Sequence, residues 1–152
     1  MTEHLMSDRL AIVSVIDPDD RASSTTLGDA IDMSVHDRVM FIVSVGAVAN
    51  ARTVDFQVRE SATSGGTYTA ISGKSITQLG AGDSNKQAIV NVRASEMSAG
   101  FRYLKGQLRV GGVTGTGDNE TTVLTLAGNS RYSTAVTTST YGDLASVDEI
   151  VA

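Results

Sequence analysis

Apolar and polar positions alternate with a period of two along much of this chain, and β-branched residues are dense where they do. In Thr53–Arg59, Val54, Phe56 and Val58 share one face, while Thr53, Asp55, Gln57 and Arg59 share the other. Phe101–Val110 sets Leu104, Leu108 and Val110 against Tyr103, Lys105, Gln107 and Arg109. Gln87–Arg93 places Ala88, Val90 and Val92 inward, and Thr121–Ala127 opposes Thr122, Leu124 and Leu126 to Thr121, Val123 and Thr125. Such segments predict half-buried antiparallel strands. Leu10–Ile16 and Arg38–Val45 are more continuously apolar, which predicts central strands covered on both sides. A shorter hairpin, Tyr68–Ile71 with Ser75–Leu79, is expected between them.

The breaks carry turn chemistry. Asp17-Pro18-Asp19-Asp20 is expected to end the first strand, because proline cannot donate to a ladder. Ser64-Gly65-Gly66 and Gly80-Ala81-Gly82-Asp83 offer residues able to take positive φ. Gly111 to Asn119 joins two strands as a long hairpin loop. Helix is confined to single turns at Ser95–Gly100, with Ser95 as cap and Gly100 as stop, and at Leu27–Met33. Short strands at regular spacing predict an all-β fold, an antiparallel β-sandwich of jelly-roll-like character. No fixed-period repeat suggests a propeller or solenoid.

The ends differ from this body. The expected organisation is an N-terminal arm over residues 1–9, a sandwich over 10–128 and a C-terminal arm over 129–152. From Gly128 onward no pairing partner is evident, and Ser133–Tyr141 is uncharged and extended in propensity. Leu144, Val147, Ile150 and Val151 recur at helix-like intervals. Two readings stand: a disordered tail, or an arm laid across an adjacent subunit. In the second, Tyr132, Val136, Tyr141, Leu144 and Ile150 are the contacts, and Leu5 and Met6 act alike at the other end.

Composition narrows the chemistry. The 152 residues fit one domain able to bury a core without disulfides or metal. There is no cysteine, which removes thiolate sites and thiol nucleophiles. A net charge of −5 supports solubility and weighs against a general or specific nucleic-acid binder. The N-terminus carries mixed charges with no apolar signal region, and no apolar run nears the roughly 18 residues a membrane span requires, so no membrane association is expected.

Candidate catalytic motifs fail one by one. Of two histidines, His4 lies near the terminus and His36 in an ordinary polar turn before a strand. Gly73-Lys74-Ser75 resembles the end of a phosphate loop, but Tyr68 stands where the motif needs glycine and a strand follows instead of a helix. The glycines from Gly111 to Gly117 link strand to strand, with no helix N-terminus to face an anion. Asp17, Asp19 and Asp20, and Asp118-Asn119-Glu120, lack the ligand spacing of a calcium loop. The chain is expected to be no enzyme and to hold no cofactor or metal. Tyr103, Lys105 and Arg109 share a strand face; Tyr103 and Arg109 are candidate protein-interface residues. The absence of tryptophan removes the stacking platform of single-strand binders.

The central block resembles small virion proteins of tailed bacteriophages, especially head decoration (cement) proteins. The residues that carry this are Asp29-Ala30-Ile31-Asp32-Met33, His36 to Ala47, Val54-Asp55-Phe56-Gln57-Val58-Arg59-Glu60-Ser61, and Gly65-Gly66-Thr67-Tyr68-Thr69-Ala70-Ile71. Phe101-Arg102-Tyr103-Leu104-Lys105 is similar to the aromatic strand that follows in such proteins. The likeness covers roughly residues 29–110, and its motifs specify turns and strand faces rather than chemistry. It implies β-sandwich subunits, usually oligomeric as trimer or dimer, that sit on an assembled shell and clamp neighbouring capsomers of the major capsid protein. The expected location is the capsid surface of a virion assembled in a host cytoplasm. A tail, tube or connector subunit is the first alternative, and a carbohydrate-binding adhesion module the second.

Overall fold

The computed structural model describes residues 9–112 and 119–130. Nine strands follow one another: β1 (Leu10–Arg21), β2 (Ser24–Leu27), β3 (Ile31–Asp32), β4 (His36–Val48), β5 (Arg52–Ser61), β6 (Thr69–Ser75), β7 (Gln87–Arg93), β8 (Tyr103–Gly112) and β9 (Asn119–Ser130). They form two antiparallel sheets, ordered β1-β9-β4-β7 and β2-β8-β5-β6, with β3 also paired to β8. If β2 and β3 are taken as one interrupted strand, only the β5–β6 connection stays within a sheet. This is the strand order of a jelly roll.

The core lies between the sheets. Phe41 of β4 meets Phe56 of β5 with ring centroids 5.5 Å apart, and Val43, Val54, Val58, Leu104, Leu108, Val92 and Val123 complete the layer. Gly106 is required beneath the aromatic pair: a Cβ there would sit 2.9 Å from two Phe56 ring carbons and 3.2 Å from Phe41. The inward sets expected for the strands around Phe56, Val90 and Leu108 are buried here, except that Ala88 is only half-buried against the core.

Several local expectations are corrected. β1 is an edge strand, not a central one, and continues past Pro18 to Arg21. Its ladder with β9 slips between Ile16 and Asp19, so the proline occupies an irregularity on an edge where its missing N–H leaves no gap. The expected 68–79 hairpin is a single strand, β6, on the edge of the other sheet, followed by an isolated bridge between Val54 and Leu79. Leu27–Met33 is no helix; it carries the end of β2 and all of β3, because pairing with β8 outweighs a weak helical spacing. The single turn near Ser95 is a 3₁₀ helix over Ala94–Glu96, with Arg93 rather than Ser95 as its cap and Gly100 at φ +85° beyond it. Positive φ also occurs at Gly73 and Gly112, not at the glycines of 64–66 and 80–83. β9 runs through Gly128 to Ser130, where it pairs with His36, so the first residues assigned to the C-terminal arm belong to the sheet.

Candidate functional site

The two sheets present unlike outer faces. On the β1-β9-β4-β7 sheet, the strand positions that alternate with buried ones are themselves largely apolar. One cross-strand row is Ile12, Leu126 and Met40, and the next is Val15, Leu124, Ile42 and Ile89. All are half-buried except Ile89, which is 57% exposed. Leu10 leans over Gly128, its Cδ2 being 3.3 Å from where a Cβ would stand. The described strands are all used in two sheets, so no third layer of strand covers this face among the described residues. Continuous apolar runs in β1 and β4 therefore report this face and not a central position for both strands.

The apolar rows are bounded by charge. At the β4 start, Arg38 pairs with Arg93 across the strands, both exposed. At the far end Ser44 lies between Thr122 and Gln87. Beyond it come Asp19, Asp20 and Glu120, with Glu120 facing Asp20 across the ladder and accepting a hydrogen bond from the Ala47 N–H at 3.3 Å. Among the described residues no group of His, Asp or Glu side chains is arranged to hold a metal ion.

On the β2-β8-β5-β6 sheet the outward positions of β5 and β8 are polar, while Leu27 of β2, opposite Gln107, is 50% exposed. Gln57 donates to Gln107 Oε1, which also accepts from Arg59 at 3.3 Å. Arg109 lies opposite Asp55, whose two carboxylate oxygens accept from Gln78 Nε2 at 3.0 Å. Asp55, Gln57, Gln78, Gln107 and Arg109 with Ser75 line a groove of about 370 Å³. Lys74, the lysine of the apparent phosphate motif, lies on β6 and donates to Glu96 and the Asn91 carbonyl, both at 2.8 Å. It ties one sheet to the other's edge and faces no anion cradle.

A third cluster closes the end of the sandwich from which β9 leaves. Arg102 grips Asp32 through Nε and Nη2 at 2.8 and 2.5 Å and lies 5.2 Å from the Tyr103 ring. The Arg102 guanidinium, aided by Ser34, holds the Asp32 carboxyl down to about 2 against the opposing effect of burial. Lys105 stands 5.0 Å over the Tyr68 ring, and Tyr68 donates to the Ser64 carbonyl at 2.9 Å. Burial, then the neighbouring Tyr103, pushes the Tyr68 hydroxyl's pKa up. Buried Glu60 accepts from the Ser98 N–H at 3.0 Å and from its hydroxyl, pinning the 97–102 connection.

Of the residues expected at an interface, Tyr103 and Arg109 share one face of β8, as their alternation predicts, but stand six residues apart along it. Tyr103 belongs to the Asp32–Arg102 cluster and Arg109 to the Asp55 groove. Leu5, Met6, Tyr132, Val136, Tyr141, Leu144 and Ile150 lie outside the described residues, as do His4 and the tip of the glycine loop. His36 is no exposed turn residue: it is 7% exposed at the first position of β4, and burial holds its pKa below the ordinary value against the pull of Asp32. Sequence reasoning missed the apolar outer face because a strand apolar on both sides carries no period-two pattern.

No protein family matches the chain, and no curated protein matches it by sequence. Among solved structures, it is similar to a chain in the structure of infectious bursal disease virus, Gt strain. The two are 10% identical with a TM-score of 0.41; the match covers 78% of this chain and 32% of the viral one. This chain thus spans about a third of that protein's length.

Proposed function

We propose that this chain is a virion structural protein that decorates and stabilises a phage capsid, binding between capsomers of the major capsid protein and assembling with its own copies. The observation that carries the reading is the apolar outer face on a rigid jelly-roll body, since such patches on soluble domains mark contact with other macromolecules. The phage-like residues support it: 29–110 span β3 to β8, so the likeness covers most of the two-sheet body. A jelly roll alone hosts many functions and decides nothing between them.

The mechanism is mass action. A protein that binds the assembled lattice and not its dissociated subunits raises the free energy of disruption, by RT ln(1 + [L]/Kd) per site. Many copies linked by terminal arms add avidity, so modest single contacts suffice. No catalytic step, cofactor, membrane or specific nucleic acid enters this account. Purified protein added to expanded, undecorated heads is expected to bind and to raise their disruption temperature; absence of binding contradicts the assignment. A tail, tube or connector role is separated by a cryo-electron microscopy map of the virion. A carbohydrate-binding role requires binding on a glycan array.

A further inference from the structure

We infer that the apolar outer face of the β1-β9-β4-β7 sheet is the seat of residues 131–152 of a second copy of this chain. The inference rests on the self-assembling reading above and specifies which surface receives the arm. Three observations carry it. The first is the face itself: two adjacent cross-strand rows of aliphatic side chains with no described strand layer over them. Four strands make it about 14 Å wide.

The second is where the chain leaves the body. β9 ends at Ser130, level with His36, at the same end as the Arg38–Arg93 pair. The following residues, Arg131 to Tyr141, contain no Gly, Pro, Asn or Asp, and the first residues suited to a reversal are Gly142-Asp143. Read as an extended segment, Arg131–Tyr141 reaches about 36 Å before it offers a turn. That distance exceeds the width of the face it leaves, and with no turn residue to fold the segment back it suits a neighbour's face better than its own.

The third is complementarity. The segment supplies apolar residues on the scale of the face, among them Tyr132, Val136, Tyr141, Leu144 and Ile150. Its charged residues beyond Arg131 are Asp143, Asp148 and Glu149, opposite in sign to the arginine pair at the face's border. Arg38 keeps its own Asp37 at 3.5 Å, so incoming carboxylates add to that pairing at a border where two arginines face each other.

The cysteine-free sequence allows a direct test. Full-length chains bearing Ile89→Cys and differently tagged full-length chains bearing Leu144→Cys are co-expressed, oxidised and weighed. The expected product is a mixed disulfide between the two tags, far above that formed with a Gln107→Cys control on the polar sheet. Ile42→Glu in the receiving chain is expected to lower both the cross-link yield and self-association by about tenfold or more. Should Ile42→Glu fail to fold, Ile89→Glu, placed at the most exposed of these positions, serves in the self-association arm. In a chain carrying both Ile89→Cys and Leu144→Cys, a link formed within the one chain overturns the inference in favour of the chain's own face. Equal linking to Gln107→Cys in an intact oligomer overturns the receiving surface but leaves the assembly reading standing. A full-length protein that stays monomeric at all concentrations, and on undecorated heads cross-links to the capsid protein alone from a photoreactive group attached to Ile89→Cys, overturns self-assembly and this inference while sparing decoration.

Discussion

The two outer faces of this sandwich rest on the same pleated backbone and differ in almost everything else. On β5 and β8 the outward residues are Asp55, Gln57, Arg59, Lys105, Gln107 and Arg109, of which Gln57 and Arg59 are both hydrogen-bonded to Gln107. On β4 and β9 they are Met40, Ile42, Leu124 and Leu126, which gain from being covered. Full coverage of one such side chain is worth about 1.5–3 kcal/mol, and half-burial leaves much of that unrealised. A polar face can be an end in itself, whereas an apolar one on the same body implies something that sits on it.

The largest expected effect removes both faces together. Gly106→Val drives a side chain into Phe56 and Phe41, and overpacking of this kind costs about 1–3 kcal/mol. A thermal melt should show the midpoint falling; an unchanged midpoint would mean that the sheets are not locked through this contact. Next comes removal of residues 131–152, cut after Ser130 so that β9 stays whole. Self-association should weaken by about tenfold or more while the far-ultraviolet β signal persists. Unaltered association would leave the apolar face without its proposed occupant.

Smaller effects separate the end cluster from the faces. Asp32 has its pKa lowered from 3.8 to about 2, so its contribution is complete above 3.8 and is lost as the pH falls towards 2. With the pair partly exposed, that contribution is about 1 kcal/mol after solvent screening, and Asp32→Asn should abolish this acid-dependent step in a denaturant series. A variant retaining the step would place its source elsewhere. Buried His36 has a folded pKa below 6.5, so the unfolded chain takes up the proton first. Stability should therefore decline as pH drops below 6.5 until the folded-state pKa is passed, and His36→Gln should flatten that slope. The smallest change is expected on the polar face: Arg109→Ala should alter stability by no more than about 0.5 kcal/mol and leave association untouched.

Much of the body was legible because water writes a period of two onto a half-exposed strand. β5, β7 and β8 show it, and their buried sets follow from it. Where the pattern disappears, inference drifted in a consistent direction. Leu10–Ile16 looked central because both of its faces are apolar, yet it is an edge strand whose outward face no described strand covers. Pro18 looked like a strand end because the sequence does not show which edge faces water. The 68–79 region looked like a hairpin because Gly73 sits mid-segment, but its positive φ bends one strand instead of reversing it. Ser130 looked unpaired because its partner, His36, is distant in sequence. Tyr103 and Arg109 were placed on the correct face, and the apolar face opposite was missed for the same reason that β1 was misplaced.

Parallel mass measurements in solution on full-length Ile42→Glu and Gln57→Glu, against the unaltered chain, test the central claim most directly. The apolar-face charge should shift the population to lower mass while the polar-face charge leaves it unchanged. Equal masses for all three chains, or an equal loss in both variants, would contradict the assignment of contact to the β1-β9-β4-β7 face.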